Sequence, residues 1–287
     1  MKVFISVDME GASGVTDPED VMPQGMEYQR CREFMTGDAN AAIAGAFDAG
    51  AEFVQVNDSH WIMRNLLVDK LDRRARHIKG FSKPMCMVQG LDDSYDAAVF
   101  VGYHACAGTE GGVLDHTLLG KEVMNVYLNG EPMGETRINA AIAGQYGVPV
   151  ALVAGDTAVC EEAKRVLGPD IETASVKEGI DKTTANLWHP EVAQERIRET
   201  TTRALRNLGG RKPYVLEPPI TVAFDWGTTT TAANVAMIPE VKRSGPRTTE
   251  YTADSMTNVW RMAWVWCLLA LQVGQKSGVE PGAIVYG

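Results

Sequence analysis

The sequence predicts an α/β fold, a largely parallel or mixed sheet flanked by helices with a smaller C-terminal subdomain, and two observations carry that prediction. Short β-rich runs alternate with Ala-rich runs of helical period, the pattern of strands joined by crossover helices. The 287 residues are 45% hydrophobic, enough to bury the core of one large domain or two smaller ones.

The first strand is "KVFISV", and it runs directly into two acids, Asp8 and Glu10. Further strands are expected at "AEFVQV" (51–56), "AAVFVGY" (97–103), "VPVALVAG" (148–155) and "PITVAFDW" (219–226). Between the first two lies "TGDANAAIAGAFDAG", where Thr36 or Asp38 suits an N-cap and Gly50 a stop. A second helix is expected over 135–147 in "GETRINAAIAGQYG". Just before it, "NVYLNGEPMGE" carries Asn129-Gly130, the strongest short-range signal for a type I′ hairpin turn. Asp156 immediately precedes a helical run and reads as its cap. The segment "RNLGGRKPYVLEPP" mixes Gly, Pro and charge, which suggests a boundary between a metal-binding α/β catalytic domain over 1–208 and an α/β subdomain over 209–287. Beyond it, "TNVWRMAWVWCLLALQVG" sets Trp260, Trp264, Cys267 and Leu271 along one helical face, the pattern of a buried core helix.

Composition excludes several functional classes. A formal charge of −10 repels phosphate backbones and anionic lipid head groups, so neither nucleic acid nor a membrane is an expected partner. The longest apolar stretch, "MAWVWCLLAL", is too short to span a bilayer. Five scattered cysteines without C-x-x-C spacing argue against a disulfide framework, and the N-terminus shows no basic and apolar leader pattern. A cytoplasmic protein is the expectation.

The chemistry gathers after the strands. In open α/β sheets the ligand crevice lies outside the carboxyl ends of the strands, so polar residues following successive strands converge. Here the first strand delivers Asp8 and Glu10, the second Asp58 and His60 in "NDSH", and the third His104 in "GYHACA". Asp8 and Glu10 are two apart, so in an extended chain they point the same way and can chelate a cation that offsets their repulsion. "GGVLDHT" adds Asp115 and His116, and Glu135 opens the helix after the hairpin. Any one of these alone is more often a cap or turn former; their joint occurrence is what matters. Imidazoles mixed with carboxylates favour Zn²⁺ or another first-row ion over Mg²⁺ or Ca²⁺. Three carboxylates and two imidazoles exceed the needs of one catalytic zinc and suit two ions bridged by one carboxylate. Asp58 suits either a hydrogen bond to a ligating imidazole or a turn. Cys106 reads as a small buried thiol, His77 and His189 read as surface positions, and Arg137 and Lys177 suit a contact to a substrate carboxylate and a solvated surface position equally well.

The motifs "SVDMEG", "VNDSH", "GYHA", "VLDHT" and "MGETRINA", with "VPVALVAGD" and "ASVK" beyond them, resemble the zinc-dependent D-aminopeptidases of the DppA type over most of the first 180 residues. The likeness fades in the C-terminal third. It implies a dinuclear aminopeptidase with two Zn²⁺ per subunit, releasing the N-terminal residue of short D-amino-acid-containing peptides by means of a metal-bridged hydroxide. The implied ligands are Asp8, Glu10, His60, His104 and Glu135. Asp8 bridges, Glu10 and His104 complete one centre, and His60 and Glu135 the other, with His116 as the catalytic residue. The resemblance also implies a homodecamer of two stacked pentameric rings. "GTEGGVLDH" departs from the family pattern by one extra residue between His104 and His116. Two other readings stand beside this one: a cytoplasmic peptide-binding protein of a dipeptide uptake system, and a dinuclear metal hydrolase acting on other amides. The acidic chain lacks a G-x-x-x-x-G-K loop, which disfavours phosphoesters.

Overall fold

A computed structural model describes residues 1–276. Its larger sheet contains β1 (Lys2–Val7), β2 (Phe53–Asp58), β3 (Arg76–Ile78), β4 (Ala97–Tyr103), β7 (Val150–Asp156), β8 (Glu172–Asp181) and β9 (Thr184–Leu187). Their order is β3-β2-β1-β4-β7-β8-β9. Every pairing is parallel except that of β8 with the edge strand β9. A smaller antiparallel sheet, in the order β11-β12-β10-β5-β6, joins β5 (Val123–Leu128) and β6 (Glu131–Pro132) to β10 (Ile220–Trp226), β11 (Lys242–Arg243) and β12 (Thr248–Ala253). Strands from either side of residue 208 thus share this second sheet.

Side-chain alternation along the central strands builds two cores. Val3, Ile5 and Val7 of β1 and Val99 and Val101 of β4 face one cluster, packed beneath α2 (Tyr28–Asp48) and α5 (Pro190–Arg206). Phe4 and Phe100 face the other, which holds α3 (Glu135–Gln145), α4 (Thr157–Leu167) and α7 (Met256–Lys276) against the smaller sheet. The short helices α1 (Pro18–Val21) and α6 (Thr229–Val235) complete the chain order. Trp226, Trp260 and Trp266 are fully buried in the second core. Phe224 meets Trp266 edge to face, with centroids 5.3 Å apart.

Two elements differ from the sequence expectation. Helix α2 begins at Tyr28, before Thr36 and Asp38, which are interior and buried. The Thr36 hydroxyl donates 2.7 Å back to the Arg32 carbonyl, and Asp38 accepts from the Ser13 amide and hydroxyl, so neither serves as a cap. The polar run that forms β8 pairs in parallel with β7. The hairpin forms as its sequence predicts, with Asn129 at φ 53° and Gly130 at φ 83°, and Asp156 caps α4 by accepting from the Val159 amide at 2.7 Å. Among the described residues no helix is long and apolar enough to cross a membrane.

Candidate active site

The chain runs outward from β1 through β2 to β3, then returns to place β4 on the other side of β1. That reversal is the topological switch point where open α/β sheets bind ligands. Asp8 and Glu10 leave β1 there, and His104 leaves β4. The two exits are pressed together, with Asp8 N donating to Val101 O and Gly11 N to Gly102 O, both at 2.8 Å. Only glycine permits this approach. A Cβ on Gly102, which sits at φ +70°, would lie 2.2 Å from the Asp8 carbonyl oxygen, and one on Gly11 would lie 1.7 Å from that of Tyr103.

Around this point the structure gathers Asp8, Glu10, His60, His104, His116 and Glu135, all buried. Asp8 lies between two imidazoles. Its Oδ1 is 3.5 Å from His60 Nδ1 and its Oδ2 is 3.5 Å from His104 Nε2. His60 Nδ1 is also 2.9 Å from Glu10 Oε2, and His104 Nε2 is 3.4 Å from Glu135 Oε2. Asp8, Glu10 and His104 present ligand-type atoms within 4.8 Å of one another, as do His104, His116 and Glu135. The His104 and His116 rings stack at 4.1 Å.

Backbone carbonyls orient all three imidazoles. His60 Nε2 donates to Val21 O at 2.9 Å, His104 Nδ1 to Ala105 O at 3.0 Å, and His116 Nδ1 to Leu114 O at 2.7 Å. In the neutral rings the inward nitrogen of each is therefore the unprotonated one, the arrangement found behind metal-ligating histidines. Asp58 does not take part. Its carboxylate accepts from the Asn65 and Leu66 amides and the Asn65 side chain, and so shapes the loop after His60. Glu135 opens α3, where the helix dipole favours a carboxylate, and its Oε1 accepts from Leu118 N at 2.7 Å.

The buried carboxylates and imidazoles perturb one another strongly. Burial, reinforced by the charge of Glu10, pushes the Asp8 carboxyl well above its usual range. Burial is the largest single influence on His60 and His104 and opposes their charge, yet the summed pull of Glu10 and Asp8 on His60, and of Glu135, Asp8 and Glu10 on His104, raises both well above the ordinary histidine value. At Glu10 and Glu135 burial is again the largest single influence, but the histidines together, His60 foremost on the first and His104 on the second, lower both. His116 goes the other way, held down by burial and then by neighbouring His104. His104 Nε2 is buried without a hydrogen-bond partner although two carboxylates lie 3.4 to 3.5 Å away. An unpartnered imidazole nitrogen among carboxylates suits a borderline divalent ion such as Zn²⁺.

Lys177 proves to be part of the site's framework. It is fully buried, and its ammonium donates to the carbonyls of Glu10, Ala12 and Val15 at 2.5, 3.0 and 2.6 Å, which fixes the loop carrying Glu10. His77 is likewise half-buried in β3. His189 is exposed and accepts from Glu191 N at the start of α5, and Arg137 donates to the Tyr214 hydroxyl. Cys106 is half-buried, its thiol pushed up to about 11 by burial, and among the described residues it joins no cluster of ligand-type atoms.

A cavity of about 480 Å³ opens over the cluster. Asp8, Glu10, His60, His116 and Glu135 form its floor, and α7 contributes Trp264, Leu268 and Leu271 to its wall. Trp264 and Leu271 therefore line the cavity, while Trp260 and Cys267 are core residues as their spacing predicts.

Comparison with known proteins places this geometry. A D-aminopeptidase of Bacillus subtilis (strain 168) is 39% identical over 276 residues, covering 95% of this chain and 98% of its own. A solved structure, that of the Zn-dependent D-aminopeptidase DppA from Bacillus subtilis, described as a self-compartmentalizing protease, matches with a TM-score of 0.91 at 37% identity, covering 95% of this chain and 98% of that one. The D-aminopeptidase family model matches residues 1–265, and the chain belongs to that family of peptidases.

Proposed function

We propose that this chain is a dinuclear zinc aminopeptidase that releases the N-terminal residue of short peptides containing D-amino acids. The observation that carries the reading is the position of Asp8, each of whose oxygens faces a different imidazole, as a carboxylate shared by two ions requires. Asp8 is the proposed bridge, with Glu10 and His104 completing one centre and His60 and Glu135 the other. Zinc held by these residues would supply a water of lowered pKa and polarise the scissile carbonyl. The chain's residues do the rest. His116, neutral and with Nδ1 committed to Leu114 O, offers Nε2 to accept a proton and to return it to the leaving amine. The Leu114 carbonyl and the stacked ring of His104 hold His116 in place for that transfer, and the apolar cavity excludes bulk water.

In this reading the 1–208 unit carries all the site residues and the segment beyond supplies the cavity's outer wall. Free thiols at Cys31, Cys86, Cys106, Cys160 and Cys267 support a reducing, cytoplasmic setting. The solved relative's description as self-compartmentalizing supports a homo-oligomer here, proposed as a decamer of two pentameric rings. Incubating zinc-loaded protein with matched D- and L-aminoacyl dipeptides and N-acetylated controls tests the proposal. Release of the N-terminal residue from free but not blocked D-peptides is expected. A protein that binds these peptides intact is a carrier, and one that cleaves blocked amides is a hydrolase of another kind.

A further inference from the structure

Beyond the polar cluster, the cavity is lined mainly by apolar and aromatic side chains. Trp61, Met63, Phe81, Leu118, Trp264 and Leu268 line it. Its aromatic wall is preformed. The Trp264 ring stacks on Trp260 at 6.0 Å and 19° and leans on Phe81 at 6.0 Å and 48°. Opposite, the loop after His60 holds two bulky residues in the left-handed region, Trp61 at φ 38° and Met63 at φ 53°. Such conformations cost about 1–3 kcal/mol each and persist only where the surroundings enforce them, most often at ligand sites. Here Met63 N donates to His60 O and Gly80 N to Met63 O, both at 2.7 Å, and the Asn65 side chain donates to His60 O at 2.6 Å. The strained loop presents His60 to the cluster and Trp61 and Met63 to the cavity. Among the described residues, Glu122 is the one lining carboxylate outside the proposed metal cluster, and it is buried, with a relative exposure of 7%.

We infer that this cavity is a subsite for a bulky apolar side chain, so that the preferred substrates are short peptides with an aromatic or branched aliphatic residue beside the scissile bond, and that Glu122 turns away acidic ones. The inference rests on the aminopeptidase reading for what the subsite serves. The cavity volume falls in the usual range for ligand pockets, roughly 300–1,000 Å³, and leaves room for a large side chain beside the backbone of a dipeptide. A small side chain would leave the aromatic wall uncovered, whereas a large one removes apolar surface from water on both partners. An acidic side chain would have to lose its hydration beside another buried carboxylate.

The test compares D-Phe-D-Leu, D-Ala-D-Ala and D-Glu-D-Glu, with their L counterparts, on zinc-loaded full-length protein. The preference of kcat/KM for the bulky apolar peptide over the alanyl one is expected to be at least about tenfold, the lower end of what a single methylene is worth in an apolar pocket. In Trp264→Ala that ratio falls by about tenfold or more, and Glu122→Gln raises the glutamyl rate relative to the alanyl one. Leu268→Ala, at a half-exposed position, serves if Trp264→Ala fails to fold, and should also lower the ratio. Equal rates for bulky and alanyl peptides, or a ratio unmoved by the variants, overturn the inference and leave the aminopeptidase reading standing. If no peptide is cleaved, that reading fails, and calorimetric affinities for the same peptides decide the subsite: at least tenfold tighter binding of the bulky peptide sustains it, and equal affinities overturn it.

Discussion

The rings of His104 and His116 lie face to face, centroids 4.1 Å apart and planes 8° from parallel. His104 turns its inward nitrogen to Asp8 and Glu135, and the Leu114 carbonyl fixes the outer nitrogen of His116. The stack therefore couples a proposed metal ligand to the proposed proton carrier, and it separates their chemistry. Replacing His116 with Ala should lower kcat by about 10²–10⁴, the usual worth of a positioned acid–base group, with zinc content unchanged. Zinc analysis of the purified variant checks this, and loss of one ion per subunit would make His116 a ligand.

Asp8 is the hinge of the metal assignment. Asp8→Asn should strip both ions, because a bridge serves each of them, and take activity with it. Glu135→Gln, which alters one proposed centre, should reduce occupancy more at one ion than at the other. Metal titration followed by calorimetry on the two variants distinguishes these outcomes.

Lys177→Met removes an ammonium that satisfies three buried carbonyls. Each unsatisfied group costs about 1–3 kcal/mol, so urea unfolding should show a loss of several kcal/mol. Since one of those carbonyls belongs to Glu10, zinc should also be held less tightly by the surviving folded protein.

Asp38 gives a pH signature away from the metals. Burial, only partly offset by hydrogen bonds from Ser13, raises its carboxyl to about 6 from 3.8. The folded state then binds more protons than the unfolded one between those values. Stability from this group is thus present at low pH and lost as pH rises through about 6. Asp38→Asn should lack that loss. The stability difference between variant and wild type, measured by urea unfolding, should shift in the variant's favour by at most about 3 kcal/mol between pH 4 and pH 7. No change in that difference would contradict the assignment.

Much of the site was legible because strand ends at a sheet's carboxyl edge converge whatever their separation in sequence. Asp8, Glu10, His60 and His104 follow β1, β2 and β4, each in a run apolar enough to read as a strand. What escaped notice depended on partners far along the chain. Lys177 looks like any charged residue in a polar strand, and only the loop from Glu10 to Val15 reveals why it is buried. Nothing in "PITVAFDW" indicates that β10 leaves the parallel sheet to pair antiparallel with β5. The start of α2 was obscured because Thr36 and Asp38, good capping types, bond to Arg32 and Ser13 instead. Trp61 and Met63 gave no local sign that their backbone is left-handed.

The most direct test of the central claim is anomalous diffraction at the zinc absorption edge from crystals of the zinc-loaded protein. Two peaks roughly 3.5–4 Å apart, with Asp8 between them and His60 and His104 on opposite peaks, are the predicted result. A single peak, or zinc bound away from Asp8, would contradict it.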